Sequence, residues 1–365
     1  LNQSVEKITP ASARLLEEVI AAIEPPDCGW LAHARAHLDC LTKPLGSLGR
    51  LEDIAAKAVS IQRTARPQVG RKAVYVFAAD HGITDEGVSA YPKEVTHQMV
   101  LNFLQGGAGI NVIARHAGAD VVIVDVGVDA DLASLPGVLH RKIRRATRNM
   151  LRGPAMEESE MLQAMQVGIE LADEAQREGI ELIAVGEMGI GNTTAASAIT
   201  AVLTGSSAAL VTGAGTGVKG PALEQKRAII EAVLARHGVG ASSDPLAILH
   251  CLGGFEIAAI SGMLLNCARH RVVTVVDGFI ATAAAAIACA LQPSLRDCLI
   301  AGHQSQEPGH RILLEHLGLQ PILQLNMRLG EGTGAVLAFP IIEAAIKLYN
   351  QMATFASAQV STAKA

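Results

Sequence analysis

The chain has 365 residues and a formal net charge of −5; half of the residues are hydrophobic and only 3% are aromatic. That length suggests two domains, or one large domain with an appendage, and an aromatic-poor, Ala- and Gly-rich composition suits a helix-rich α/β protein rather than an all-β sandwich. The acidic balance and the lack of a long Lys/Arg run argue against nucleic acid as the main partner.

The opening LNQSVEKITP does not resemble a signal peptide, and the missing initiator Met suggests trimming or a cloning boundary. SARLLEEVIAAIE (12–24) has the spacing of an amphipathic helix and is broken by PPDCGW. From there, short β-branched runs predict strands at 73–79, 121–126, 181–186, 272–276, 298–302 and 321–325. Helix-period segments lie between them at 93–116, 157–178, 221–236, 254–269 and 307–317. The basic cluster RKIRRATR (141–148) reads as a solvated face. Phe279 to Leu291, thirteen residues, is too short to span a bilayer and predicts a buried helix. PIIEAAIKLYNQMATFASA (340–358) predicts a closing helix.

Continuous apolar strands alternating with amphipathic helices predict a three-layer α/β/α fold with a mostly parallel, doubly wound, Rossmann-like sheet. The strandless chain ends, 1–50 and 340–365, predict a small helical subdomain beside a large α/β catalytic domain at 51–339. The six cysteines show no C-x-x-C spacing. Buried thiols in a reducing cytoplasm fit them better than disulfides or zinc.

The strand ends are the informative feature. They read Asp80-His81-Gly82, Asp125-Val126-Gly127, Gly186-Glu187, Asp277-Gly278 and Gly302-His303. In open α/β sheets ligands bind beyond the carboxyl ends of the strands, so five polar ends together predict a site there. GEMGIGNTTAASA (186–198) follows a strand and opens a helix. Gly189 and Gly191 let backbone N–H groups approach an anion, Asn192 and Thr193 add polar donors, and the helix dipole favours negative charge. GAGTGVKG (213–220) contains G-x-G-x-x-G, but mid-chain and without an acid twenty residues on, so it is a poor dinucleotide fingerprint. There is no Walker loop and no HExxH, and no metal or cofactor is expected. RLGEGTGA (328–335) sets one carboxylate, Glu331, between two glycines. A surface loop, a helix start and a base left bare for a flat ligand are the three readings of it.

KPLGSLGRLE (43–52), AADHGITDEGVSAYPKEVTHQM (78–99), GEMGIGNTT, LGGFEIAAISG (252–262), VVDGF (275–279) and MRLGEGTGA, in that order, resemble the nicotinate-nucleotide–dimethylbenzimidazole phosphoribosyltransferase family. The resemblance implies metal-independent transfer of the phosphoribosyl group of nicotinate mononucleotide to 5,6-dimethylbenzimidazole. The products are α-ribazole 5'-phosphate and nicotinate, in cobalamin lower-ligand synthesis, and a homodimer is implied. By position, Glu331 matches the general base and Glu187 a second acid. Gly189, Gly191, Asn192, Thr193, Gly215, Thr216, Lys226, Asp277 and Ser305 fall to the phosphate and nucleotide. Asp80, Tyr91, Gln98, Met99, Met327 and Leu329 fall to the base. One departure stands out: GAGTGVKG carries Ala214 and Lys219 where similar enzymes have GRGTG followed by acids. A working base must be ionised, so Glu331 is expected not to be deeply desolvated before ligand binds. Two other classes stay open. One is another nucleotide-utilising enzyme, a nucleoside phosphorylase or NAD-dependent dehydrogenase; the other is a catalytically inactive base-binding protein. The acceptor base, adenine and phenols included, stays open too.

Overall fold

The computed structural model describes residues 11–361; the parts of the expected helical subdomain at 1–10 and 362–365 lie outside the described residues. Six strands form one all-parallel sheet: β1 Lys72–Ala79, β2 Asp120–Gly127, β3 Val138–His140, β4 Leu182–Met188, β5 Val273–Val276 and β6 Leu299–Ala301. Their order is β3-β2-β1-β4-β5-β6, the doubly wound order of the Rossmann fold. The chain reverses its direction of travel across the sheet between β1 and β4, which opens a crevice beyond their carboxyl ends.

Side-chain alternation builds the three layers. All eight residues of β1 are buried. Val74, Val76 and Ala78 pack into one apolar cluster, with the helices Arg50–Gln62, Gly109–Ala117 and Thr333–Gln351. Tyr75, Phe77 and Ala79 pack into the other, with Glu158–Arg177, Asn192–Thr204, Phe255–Arg269 and Phe279–Leu291. The apolar Phe279–Leu291 run is a buried helix, and no helix among the described residues is long and apolar enough to cross a membrane. The six cysteines are free thiols.

The chain ends meet in part. Leu41 bridges Thr354, Thr42 N–H donates to Ala353 O at 2.9 Å and Phe355 N–H to Cys40 O at 3.0 Å. The helix Ala11–Ala21 lies elsewhere, its Leu16 and Val19 buried in the cluster that holds Glu158–Arg177 and Phe255–Arg269.

The structure corrects several expectations. Residues 321–325 are not a strand. Ile322 and Leu323 donate to Ala301 and Gly302 carbonyls, but the chain then turns away through Asn326 at φ 56°, leaving a single bridge to His303. The segment 93–116 is two helices, Glu94–Leu104 and Gly109–Ala117, because Gly106 takes φ 75° between them. Strand β3 and the helices Cys28–Cys40 and Pro245–Leu252 were not anticipated.

The end of β4 is packed against the backbone of the 330–332 turn. A Cβ on Gly186 would fall within 2.6 Å of Glu331 O. Gly186→Ala should therefore destabilise the protein by about 1–3 kcal/mol, the usual cost of overpacking, and depress any activity that depends on Glu331. A urea melt of the variant matching the parent would mean that the two backbones are not so close.

Candidate active site

Beyond the carboxyl ends of β4, β5 and β6 lies a cavity of about 480 Å³. The glycine loops meet here because three strand ends and two loops converge on the crevice. Of the residues expected from sequence, Glu187, Gly189, Asn192, Thr193, Gly215, Thr216, Ser305, Tyr91, Met99, Leu329 and Glu331 line it. Gly191, Lys226, Asp277, Asp80, Gln98 and Met327 do not line it.

Glu331 sits in a turn of three successive left-handed residues: Gly330 at φ 86°, Glu331 at φ 63° and Gly332 at φ 87°. Left-handed backbone is free for glycine but costs a glutamate roughly 1–2 kcal/mol. Two contacts hold it. Glu331 N–H donates to Glu187 O at 3.3 Å, and Ile110 N–H, at the start of Gly109–Ala117, donates to Glu331 Oε2 at 3.0 Å. A hydrogen bond to a charged group contributes about 1.5–3 kcal/mol, enough to offset the backbone cost. Glu331 is 4% exposed, which overturns the expectation that the base is not deeply desolvated. Burial raises its pKa above the ordinary carboxylate value; the Ile110 N–H lowers it and the charge of Asp277 adds to the rise. The first turn of a helix thus solvates Glu331 in place of water.

Glu187, at the end of β4, has a harsher setting. Burial first, then the negative charges of Glu256, Asp277 and Glu331, push its pKa up to about 8, with Asn192 Nδ2–H donating to Oε2 in opposition. Glu187 is therefore mostly protonated at neutral pH. Behind Glu187, Glu256 Oε1 pairs with His81 Nε2 at 2.6 Å, both fully buried.

Asp277, assigned to nucleotide contact from sequence, caps a helix instead. It accepts from Gly332 N–H at 3.2 Å and Ala335 N–H at 2.9 Å, at the start of Thr333–Gln351. Asp80 serves the loop after β2 instead: its Oδ2 accepts from Asp129 N–H at 2.8 Å, and its Oδ1 is buried without a hydrogen-bond partner. Lys226 lies behind the cavity wall, 1% exposed, donating to Thr193 Oγ1 at 2.9 Å; burial brings its pKa down to about 8 against the opposing charge of Glu307. Gln98 is exposed, and Met327 is half-buried behind the lining.

Sequence reasoning missed Glu307 and Arg328 and underweighted His303, all of which line the cavity. His303 was visible as a strand end. Glu307 was hidden because Glu-Pro-Gly-His opens the helix Pro308–Leu317 and reads as a cap. His310, neutral because burial lowers its pKa to about 3, anchors this loop: its Nδ1 accepts from Ser305 N–H at 2.8 Å and its Nε2 meets Thr282 Oγ1 at 2.9 Å.

Comparison with known proteins agrees along almost the whole chain. A phosphoribosyltransferase family model matches residues 23–360. The nicotinate-nucleotide–dimethylbenzimidazole phosphoribosyltransferases of Geobacter metallireducens and Geobacter sulfurreducens are each 53% identical, over 346 and 347 residues; both alignments cover 95% of this chain and 98% of the relative. The crystal structure of CobT from Thermus thermophilus superposes with a TM-score of 0.88 at 49% identity, covering 92% of this chain and all of that one.

The setting of Glu187 makes a pH prediction. Folding raises its pKa from 4.5 to about 8. A raised acid contributes stability that is fully present below pH 4.5 and is lost as pH rises through about 8. Stability measured by denaturant midpoint should therefore fall between those limits, and Glu187→Gln should flatten that part of the profile. An unchanged slope in the variant would mean that Glu187 ionises normally.

Proposed function

The chain belongs to the nicotinate-nucleotide–dimethylbenzimidazole phosphoribosyltransferase family, and from that membership and the cavity's geometry we infer how it acts. It transfers the phosphoribosyl group of nicotinate mononucleotide to 5,6-dimethylbenzimidazole, releasing nicotinate and forming α-ribazole 5'-phosphate, the nucleotide of cobalamin's lower ligand. The observation that most supports this reading is a single carboxylate, Glu331, seated between glycines at the wall of a cavity that also holds a glycine-rich helix start.

The chemistry suits these residues. Nicotinate leaves from a pyridinium–ribose bond as a neutral ring nitrogen, so its departure needs no general acid. One benzimidazole nitrogen attacks C1' and gains positive charge as the bond forms. The other nitrogen must lose its proton, and Glu331 takes it. Buried acids around the cavity favour the cationic ring of the substrate and the positive charge that develops at C1' as the bond breaks. Protonated Glu187 donates a hydrogen bond into the cavity rather than competing for the proton. Thr193, Gly215 and Ser305, with Lys226 behind them, seat the phosphate at the start of Asn192–Thr204. Tyr91, Met99 and Leu329 wall the flat base. Free thiols support a cytoplasmic setting. Tyr91 and Leu329, 55% and 59% exposed at the cavity wall, support a homodimer in which a second copy covers them.

Incubation with nicotinate mononucleotide and a panel of acceptors, read by mass, tests this function. Benzimidazole-dependent nicotinate release should persist in excess EDTA, with α-ribazole 5'-phosphate as the product. Release only with inorganic phosphate would favour a phosphorylase, a nicotinamide-dependent absorbance change would favour a dehydrogenase, and no turnover with any acceptor would leave a binding protein.

A further inference from the structure

Glu307 is an acid in a place that the transfer does not obviously need one. It is 7% exposed and lines the cavity beside the residues assigned to phosphate. Its Oε1 accepts from Gly215 N–H at 2.9 Å, while its Oε2 is buried without a hydrogen-bond partner. Lys226 stands on the other side of the same glycine: a Cβ on Gly215 would lie 3.0 Å from Lys226 Nζ and 2.7 Å from Thr193 Oγ1. The backbone of Gly215 is thus wedged between an ammonium and a carboxylate, and its carbonyl accepts from Arg328 at 3.2 Å.

We propose that Glu307 is a positioning residue of the phosphate seat: it fixes Gly215 through the backbone N–H and serves as the detached counter-charge that keeps Lys226 an ammonium without occupying it. The idea rests on the assignment of Lys226 to the phosphate. A buried ammonium with no negative charge nearby loses its proton, and a direct ion pair would have to be broken when phosphate arrives. Separation across Gly215 meets both needs. The charge of Glu307 opposes the effect of burial on Lys226, yet the ammonium donates to Thr193 Oγ1 and the carboxylate accepts from Gly215 N–H rather than the two pairing directly. No other charge takes this role. The helices against which Pro221–His237 packs, Asn192–Thr204 and Ala208–Val211, contain no charged residue. On its own helix, Glu224 pairs with Arg227 at 2.7 Å.

The test is equilibrium binding of nicotinate mononucleotide to the full chain between pH 6 and pH 9, with nicotinate riboside, which lacks the phosphate, as control. Wild-type affinity for the nucleotide should fall as pH rises through about 8, where Lys226 loses its proton. In Glu307→Gln, whose amide oxygen still accepts from Gly215, that fall should come at lower pH. The variant should bind about as well as wild type at pH 6, about fivefold more weakly at pH 8 and nearly tenfold more weakly at pH 9, the factors that follow if its lysine titrates about one unit lower. Riboside binding should not change. Glu307→Asp keeps the charge and should keep the wild-type profile. Superimposed profiles for wild type and Glu307→Gln, or a pH-independent loss shared by both ligands, would overturn the proposal and reduce Glu307 to a loop anchor. Lys226→Ala separates the two levels: unchanged nucleotide affinity in that variant would remove Lys226 from the phosphate, and the proposal with it.

Discussion

The close approach of the 330–332 turn to the end of β4 is the constraint on which the site depends. It requires a bare Gly186, left-handed backbone at three successive residues, and a carboxylate, Asp277, to cap the helix that follows. Once the turn is held there, Glu331 reaches the first turn of Gly109–Ala117 and stands beside Glu187. A side chain on Gly332 would meet Val74 of β1 at 2.6 Å, so the turn touches both strands at the switch point. The sheet order creates the crevice, and the turn delivers the acid into it.

The electrostatics follow from that placement. Glu187, Glu256, Asp277 and Glu331 influence one another within a dry interior, and four charges there would repel strongly. The structure divides the labour. Asp277 accepts from backbone N–H groups, Glu256 pairs with His81, Glu187 holds its proton through neutral pH, and Glu331 is stabilised by one N–H at a helix start. One carboxyl is left as the readiest proton acceptor, in an environment that favours a cationic substrate. Across the cavity, the charge relation is reversed: Lys226 and Glu307 lie to either side of Gly215.

Much of this was legible in the sequence. Apolar runs placed five of the six strands, and the polar residues ending them located the cavity, because a parallel sheet binds ligands at those ends. The glycine loops and Glu331 were legible because their spacing is local. What escaped needed three dimensions. The three-residue β3 is too short for a pattern. The 321–325 run has strand composition but only one bridge partner. Asp277 and Asp80 sit at strand ends like ligand-binding acids, yet both oxygens of Asp277 and Oδ2 of Asp80 go to backbone N–H groups supplied from 332–335 and 129, which no linear motif reveals. Burial of Glu331 was misjudged for the same reason: its flanking glycines suggested openness, whereas they exist to let the turn pack tightly against β1 and β4.

The most direct test of the account is turnover by Glu331→Gln, measured with its thermal midpoint. The amide keeps the size of the side chain and can still accept from Ile110 N–H, but it cannot take a proton at neutral pH. With folding and substrate binding preserved, turnover should fall by about 10²–10⁴, the usual effect of losing a general base, and the acid limb of the wild-type rate profile should disappear. Near-normal turnover in a stably folded variant would contradict the account and remove Glu331 as the base.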